Sequence, residues 1–143
     1  MAAGFFFGIA CGVAKADGDT QYFNIGGFNC SITGAGVVGC DVNPAASVMY
    51  VSLSGPQGQQ FPVPYVPAVI IDNGSWPAHP EWSGGNAHTL PGGNPALPFS
   101  GDNFTPARID YAGATCTQGY RGAVQCTSMG HQFNFNSGQV SGS

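Results

Sequence analysis

At 143 residues the chain has room for one domain with its own core and is too short for two of ordinary size. Only 7% of it is charged, against roughly 25% in an average soluble protein. Its basic residues are Lys15, Arg108 and Arg121, too few to neutralise phosphates or to grip an anionic lipid surface. Nucleic-acid binding and polybasic membrane adhesion are thereby excluded.

Residues 2–14 are small and apolar and run into Ala14-Lys15-Ala16 and the polar Asp17-Gly18-Asp19-Thr20. This is the apolar region and A-x-A cleavage pattern of a secretory signal, too short for a membrane-spanning helix. Residues 1–16 are therefore expected to be removed, leaving residues 17–143 as a single β-rich domain, secreted or held at the cell envelope. No basic residue precedes the apolar stretch, as if the true start lay further upstream. Cys11 reads as a small apolar residue of the discarded signal, with lipid attachment as the alternative.

Beyond residue 16, 23 glycines and 11 prolines in the whole chain keep interrupting any helical period. Turn residues between short apolar runs predict an all-β fold, an antiparallel sheet or small sandwich stapled by disulfides. Four cysteines remain after Cys11, in two matched segments. Cys30 to Cys40 and Cys116 to Cys126 have the same spacing, and each segment folds on paper as a hairpin with its cysteines face to face. Each hairpin closes on a three-residue loop, Gly34-Ala35-Gly36 and Tyr120-Arg121-Gly122, with glycine where a left-handed residue is needed. The pairs Cys30–Cys40 and Cys116–Cys126 are expected to be disulfides, although four cysteines formally allow three connectivities. The rival zinc site would need cysteines two to four residues apart.

Further along, Val48–Leu53 is nearly continuously apolar and predicts a buried strand. Phe61–Pro67 alternates with proline and can only be an edge strand or polyproline segment, leading into a short strand over Ala68–Ile71. Residues 72–106 read as a long irregular loop in which Trp76, His79, Glu81, Trp82, His88, Phe99 and Phe104 are set. Function, if it lies in a loop, lies here; otherwise those aromatics pin the loop to the sheet. His131–Ser137 alternates strictly, with His131, Phe133 and Phe135 on one face, and predicts a half-buried strand whose His131 is hydrogen-bonded at an edge.

Tyr22-Phe23 through Val38-Gly39-Cys40-Asp41-Val42, together with Gly122-Ala-Val-Gln-Cys126 and Gly130-His131-Gln132-Phe133, resemble the two ends of a group of small exported or lipid-anchored actinobacterial proteins. That group ends in a Gly-His-Gly-Phe strand where this chain has Gln132. The resemblance covers about a third of the chain and implies export, paired cysteine hairpins and β structure. It implies no activity.

No nucleophile elbow, metalloprotease helix or phosphate loop is present, so no catalytic residue, metal or cofactor is expected. His79, Glu81 and His88 are the one set that could gather round a metal, at the cost of ordering a flexible loop. Flat aromatic side chains are the usual means of holding sugar rings or an apolar partner. Trp76, Trp82 and Tyr65 are accordingly the candidate binding residues. The expectation is a non-enzymatic exported domain that interacts with a protein or glycan of the cell envelope, with a small secreted hydrolase as runner-up.

Overall fold

The computed structural model describes residues 19–53, 58–82, 86–98, 107–119 and 122–143, together with the backbone of residues 14–16. Most of the expected signal segment with Cys11, as well as Phe99, Phe104 and Tyr120-Arg121, lies outside the described residues.

The strands in chain order are β1 (Ala14–Ala16), β2 (Thr20–Ile25), β3 (Phe28–Ile32), β4 (Val38–Ser52), β5 (Gln60–Ile71), β6 (His79–Pro80), β7 (Ala107–Tyr111), β8 (Ala114–Gln118), β9 (Val124–Ser128), β10 (His131–Asn136) and β11 (Gln139–Gly142). They form one nearly closed sheet in the order β1-β2-β3-β4-β11-β10-β9-β8-β7, with β5 and then β6 branching from the other side of β4. Among the described residues, only the β4–β11 strand ladder is parallel. The gap in the sheet is bridged by side chains: Tyr111 donates its hydroxyl to Asp19 O at 2.7 Å, and Ser128 donates to Gly36 O at 2.6 Å.

Both expected disulfides are present, Cys30–Cys40 and Cys116–Cys126. The hairpin registers are those read from the spacing, Ile32 opposite Val38 and Gln118 opposite Val124. Gly36 and Gly122 take the left-handed conformation at φ 85° and 77°. The repeat is longer than the cysteines reveal. Each hairpin is preceded by a further strand, β2 and β7, so that Phe23 faces Cys30 and Ile109 faces Cys116. Those strands enter their hairpins through the two-residue turns Gly26-Gly27 and Ala112-Gly113, in which both residues have positive φ. Such turns carry the twist that adjacent antiparallel strands require.

Alternation puts one face of this sheet into a single core, where Phe23, Ile25, Ile32, Met49, Ile71 and Phe133 are fully or almost fully buried. At about 1.5–3 kcal/mol for each large apolar side chain, this face supplies most of the driving force for closure. Val48–Leu53, expected as a buried strand, is buried only in part. Met49, Val51 and Ser52 are buried, Tyr50 is 37% exposed on the far side, and Leu53 is exposed where the core-facing side opens. Phe61–Pro67 is an edge as expected. Over that stretch β5 pairs with β4 alone, while β6 reaches only Val69 and Ile70.

The described part of the segment expected to be an irregular loop has regular structure only at β6, and it is hydrogen-bonded to the sheet at several points. Glu81 N donates to Ala68 O at 2.8 Å, Asn24 N to Pro95 O at 2.8 Å, and Leu97 N to Asn24 O at 2.9 Å. Asn94 is the chief anchor, its amide nitrogen lying 2.8–3.0 Å from the carbonyls of Phe23, Cys30 and His88. Among the described residues, the polar side chains of Asn94 and His88 fasten this strap.

Candidate functional site

The β4–β5 hairpin runs on past the closed part of the sheet, and its core-facing side there is open. Val51, Leu53, Phe61 and Val63 form the floor of a groove of about 380 Å³ whose walls are Trp76, Pro77, His79, Pro80 and Trp82. Leu53 is 58% exposed, Phe61 40%, Trp76 60% and Trp82 55%. Single exposed apolar residues are ordinary, but a contiguous set of this kind marks an interaction site.

The walls are fixed by backbone contacts. Asn73 accepts from Trp76 N at 3.1 Å through its carbonyl and from Ser75 N at 2.8 Å through its side chain, making a tight turn below Trp76. Ala78 N donates to Ser143 O at 3.2 Å, and β6 then pairs with β5. His131, expected as a hydrogen-bonded edge residue, holds the same turn, with Nε2 lying 2.8 Å from Gly74 O.

Two of the groove's polar side chains are already committed, while the Trp76 indole N–H keeps no partner among the described residues. The Trp82 indole N–H donates to Tyr65 O, and His79 Nδ1 lies 2.7 Å from Pro77 O while Nε2 faces Asp72 at 3.5 Å. Of the three expected binding residues, Trp76 and Trp82 meet in the groove. Tyr65 supports it through its carbonyl, and its own ring, 63% exposed, does not line the cavity. Leu53, Phe61 and Val63 are site residues that sequence reasoning missed. Their signal was the alternation through 49–53 and 61–63, which the prolines of β5 obscure.

The edge of β5 beside the groove is blunted. Leu53 N donates to Gln59 O at 3.4 Å, which fixes the parity of the ladder. Phe61 and Val63 turn their N–H groups toward β4, and Pro62 and Pro64 occupy the outward positions, where they have no N–H to offer. A partner cannot extend the sheet here and must dock through side chains.

Glu81 does not line the groove and turns instead to His88 over β3 and β4. There His88 Nε2 lies 2.6 Å from Glu81 Oε1, and His88 Nδ1 lies 2.8 Å from Ser31 Oγ. Facing a carboxylate, Nε2 is the donor, so in the neutral ring Nδ1 accepts from Ser31. Asp41 Oδ2 accepts from His88 N at 3.0 Å and from Thr89 Oγ1 at 2.6 Å. Ser31, Asp41 and His88 are 5%, 6% and 6% exposed. The three residues that could in principle gather round a metal are not brought together. Glu81 and His88 meet, His79 turns to Asp72, and among the described residues no group of three His, Cys, Asp or Glu is placed to hold a metal.

Ser31, His88 and Glu81 have the composition of a hydrolytic triad but not its accessibility. The His88 ring lies on Gly39, so closely that a Cβ there would overlap it, and it covers the Ser31 hydroxyl. A substrate carbonyl has no room to approach. The cluster fastens the strap to β3 and β4.

Among the described residues no helix is long and apolar enough to cross a membrane. The two disulfides fit an oxidising compartment. Comparison with known proteins gives no match: no family model fits the chain, and neither a curated protein nor a solved structure is similar to it.

Proposed function

We propose that this is a non-enzymatic exported domain that binds a protein at the cell envelope through the groove between β4–β5 and the Trp76–Trp82 walls. The observation that carries the reading is the groove's combination of exposed aromatic area and an almost wholly apolar lining, with the Trp82 indole and His79 already hydrogen-bonded within the chain. A sugar would bring many hydroxyls into an almost wholly apolar site whose one free side-chain donor is the Trp76 indole N–H, and burying the rest unpaired is unfavourable. An apolar segment of a protein partner meets no such penalty and finds rigid aromatic anchors of the kind that dominate binding energy. The outward prolines of β5 favour docking by side chains over strand addition. The disulfides, the signal-like first 16 residues and the likeness to small exported actinobacterial proteins all favour export. A hydrolase is disfavoured by the burial of Ser31 and His88.

The test places a photo-crosslinking residue at Leu53 and incubates the oxidised domain with the envelope fraction of its source. The expected result is one saturable crosslinked product that disappears in Trp76→Ala/Trp82→Ala. Both indoles are more than half exposed, so the thermal midpoint of that variant should move by no more than about 4 °C. A product that survives the double substitution, or none at all, refutes the groove as the binding surface.

A further inference from the structure

The repeat places equivalent sheet faces in unlike surroundings. On the outer face of the first unit Asn29, Ser31 and Asp41 all hydrogen-bond to the strap, to Asn94, His88 and Thr89 respectively. The positions 86 residues later are Thr115, Thr117 and Thr127, and among the described residues no strap lies on them.

That second face continues as an in-register row across five strands. Tyr50 on β4 is in register with Ser141 on β11, Ser141 with Asn134 on β10, Asn134 with Gln125 on β9, and Gln125 with Thr117 on β8. Partners in register point to the same face, and these point away from the core that Met49, Val140, Phe133 and Cys126 occupy. The row lies partly in a cleft of about 340 Å³ whose lining includes Thr117, Gln125, Asn134 and Ser141 alongside Val124 and Phe135. No outward residue of β8 to β11 is ionisable. Beyond Thr117 the row ends at Arg108, whose charge Asp110 matches at 2.7 Å.

We infer that this row, from Tyr50 to Thr117, is a binding site for an uncharged glycan. Four interstrand steps of about 4.8 Å give it a length of roughly 19 Å, room for several linked sugar rings. Amides and hydroxyls both donate and accept, as sugar hydroxyls do. Thr117, Asn134 and Ser141 make no side-chain hydrogen bond to the rest of the described chain, so they are available. Tyr50, 37% exposed, supplies a flat ring against which a sugar ring can stack. The absence of charge disfavours an acidic polysaccharide or nucleic acid. A peptide strap is disfavoured by direction: the row runs across the strands, over main-chain groups already spent on their own ladders, whereas the strap of the first unit joins a strand edge at Asn24. This site is independent of the aromatic groove and lies on the opposite face of β4.

The test is affinity electrophoresis of the oxidised domain in gels containing a soluble α-glucan, a β-glucan or a galactomannan, each uncharged. At least one should retard the protein. Tyr50→Ala and Asn134→Ala, made separately because each lies on the solvent side of the sheet, should each weaken that retardation at least tenfold while leaving the thermal midpoint nearly unchanged. Trp76→Ala/Trp82→Ala should be retarded as the unaltered protein is. If none of the three polymers retards the protein, or if retardation survives both row substitutions, the inference is overturned. Retardation lost only in the tryptophan variant would move glycan binding to the groove, overturning the row and the protein-partner reading together.

Discussion

A single methyl group at Gly39 tests the buried cluster under the strap. Gly39 lies within β4 with no left-handed φ, so alanine adds no backbone strain of its own. The new Cβ would overlap Cε1 and Nε2 of His88, whose ring must leave. Its departure removes the hydrogen bond to Ser31, ordinarily about 1 kcal/mol, and the charge-assisted one to Glu81, about 2 kcal/mol. Crowding at the site costs a further 1–3 kcal/mol on the usual scale of overpacked positions. A total of about 4–6 kcal/mol follows, a large part of an ordinary domain's stability. For a chain of this size it corresponds to a thermal midpoint lower by roughly 13–20 °C. The assay is thermal unfolding with disulfides intact, followed by near-ultraviolet circular dichroism. His88→Ala should cost a similar amount, and Gly39→Ala/His88→Ala little more than either alone, because the methyl then sits in space the ring has vacated. A neutral Gly39→Ala would refute the close packing of ring on strand. Full additivity in the double variant would refute the coupling.

Two smaller predictions concern the second unit. Cys126→Ser should leave one free thiol, on Cys116 alone, and lower stability by about 2–3 kcal/mol through the loss of an eleven-residue closed loop; thiol labelling at Cys30 or Cys40 would contradict the local pairing. The Asp110 carboxyl is held below its ordinary pKa by the hydrogen bond from Arg108, then by that from Thr115. Its stabilisation is therefore present above the ordinary carboxylate pKa and is lost as pH falls through the lowered value. Asp110→Asn should be slightly less stable than the parent at neutral pH, by an amount small for so exposed a pair, with the two midpoints converging in acid. A difference that grows toward acid would reverse the assignment.

The parts of the fold legible in the sequence are those fixed by local chemistry. Equal cysteine spacing with glycine at the left-handed loop position specifies both disulfide hairpins, because a hairpin's register follows from its turn. Prolines at alternate positions of β5 specify an edge, because they remove outward N–H groups. The preceding strands β2 and β7 were not legible. Their turns are Gly26-Gly27 and Ala112-Gly113, and an Ala-Gly pair gives no strong signal for a turn with two positive φ values. The strap was not legible for a different reason. Its anchors, Asn94 and His88, act through hydrogen bonds to residues 57 to 71 positions away, including main-chain carbonyls that no residue type advertises. For the site, aromatic composition pointed to Trp76 and Trp82, but composition could not say that Phe61 would join them while the Tyr65 ring would not. Positive φ at Tyr65 breaks the alternation of β5 at that residue, and the face each ring occupies depends on this irregularity.

The two proposed surfaces meet at β4, where Tyr50 and Val51 are neighbours in sequence and point to opposite faces of the sheet. This separation lets one strand serve two partners without competition, since a ligand on the outer row cannot touch the groove. The surfaces are nevertheless joined mechanically through β11. Ser141 stands in the outer row, and the next residue, Gly142, lies against the groove segment so closely that a Cβ would meet Ala78 Cβ and O at 2.9 Å. Ala78 in turn sits between Pro77 and His79 in the groove wall. The parallel pairing of β11 with β4 therefore sets the position of Ser141 in the row and the seating of the groove wall at once. A one-residue slip would turn Val140 outward and Ser141 into the core. The hydrophobic burial of Val140 against Met49 is thus what holds both surfaces in register, and it explains why so polar a strand as Gln139–Gly142 closes the fold.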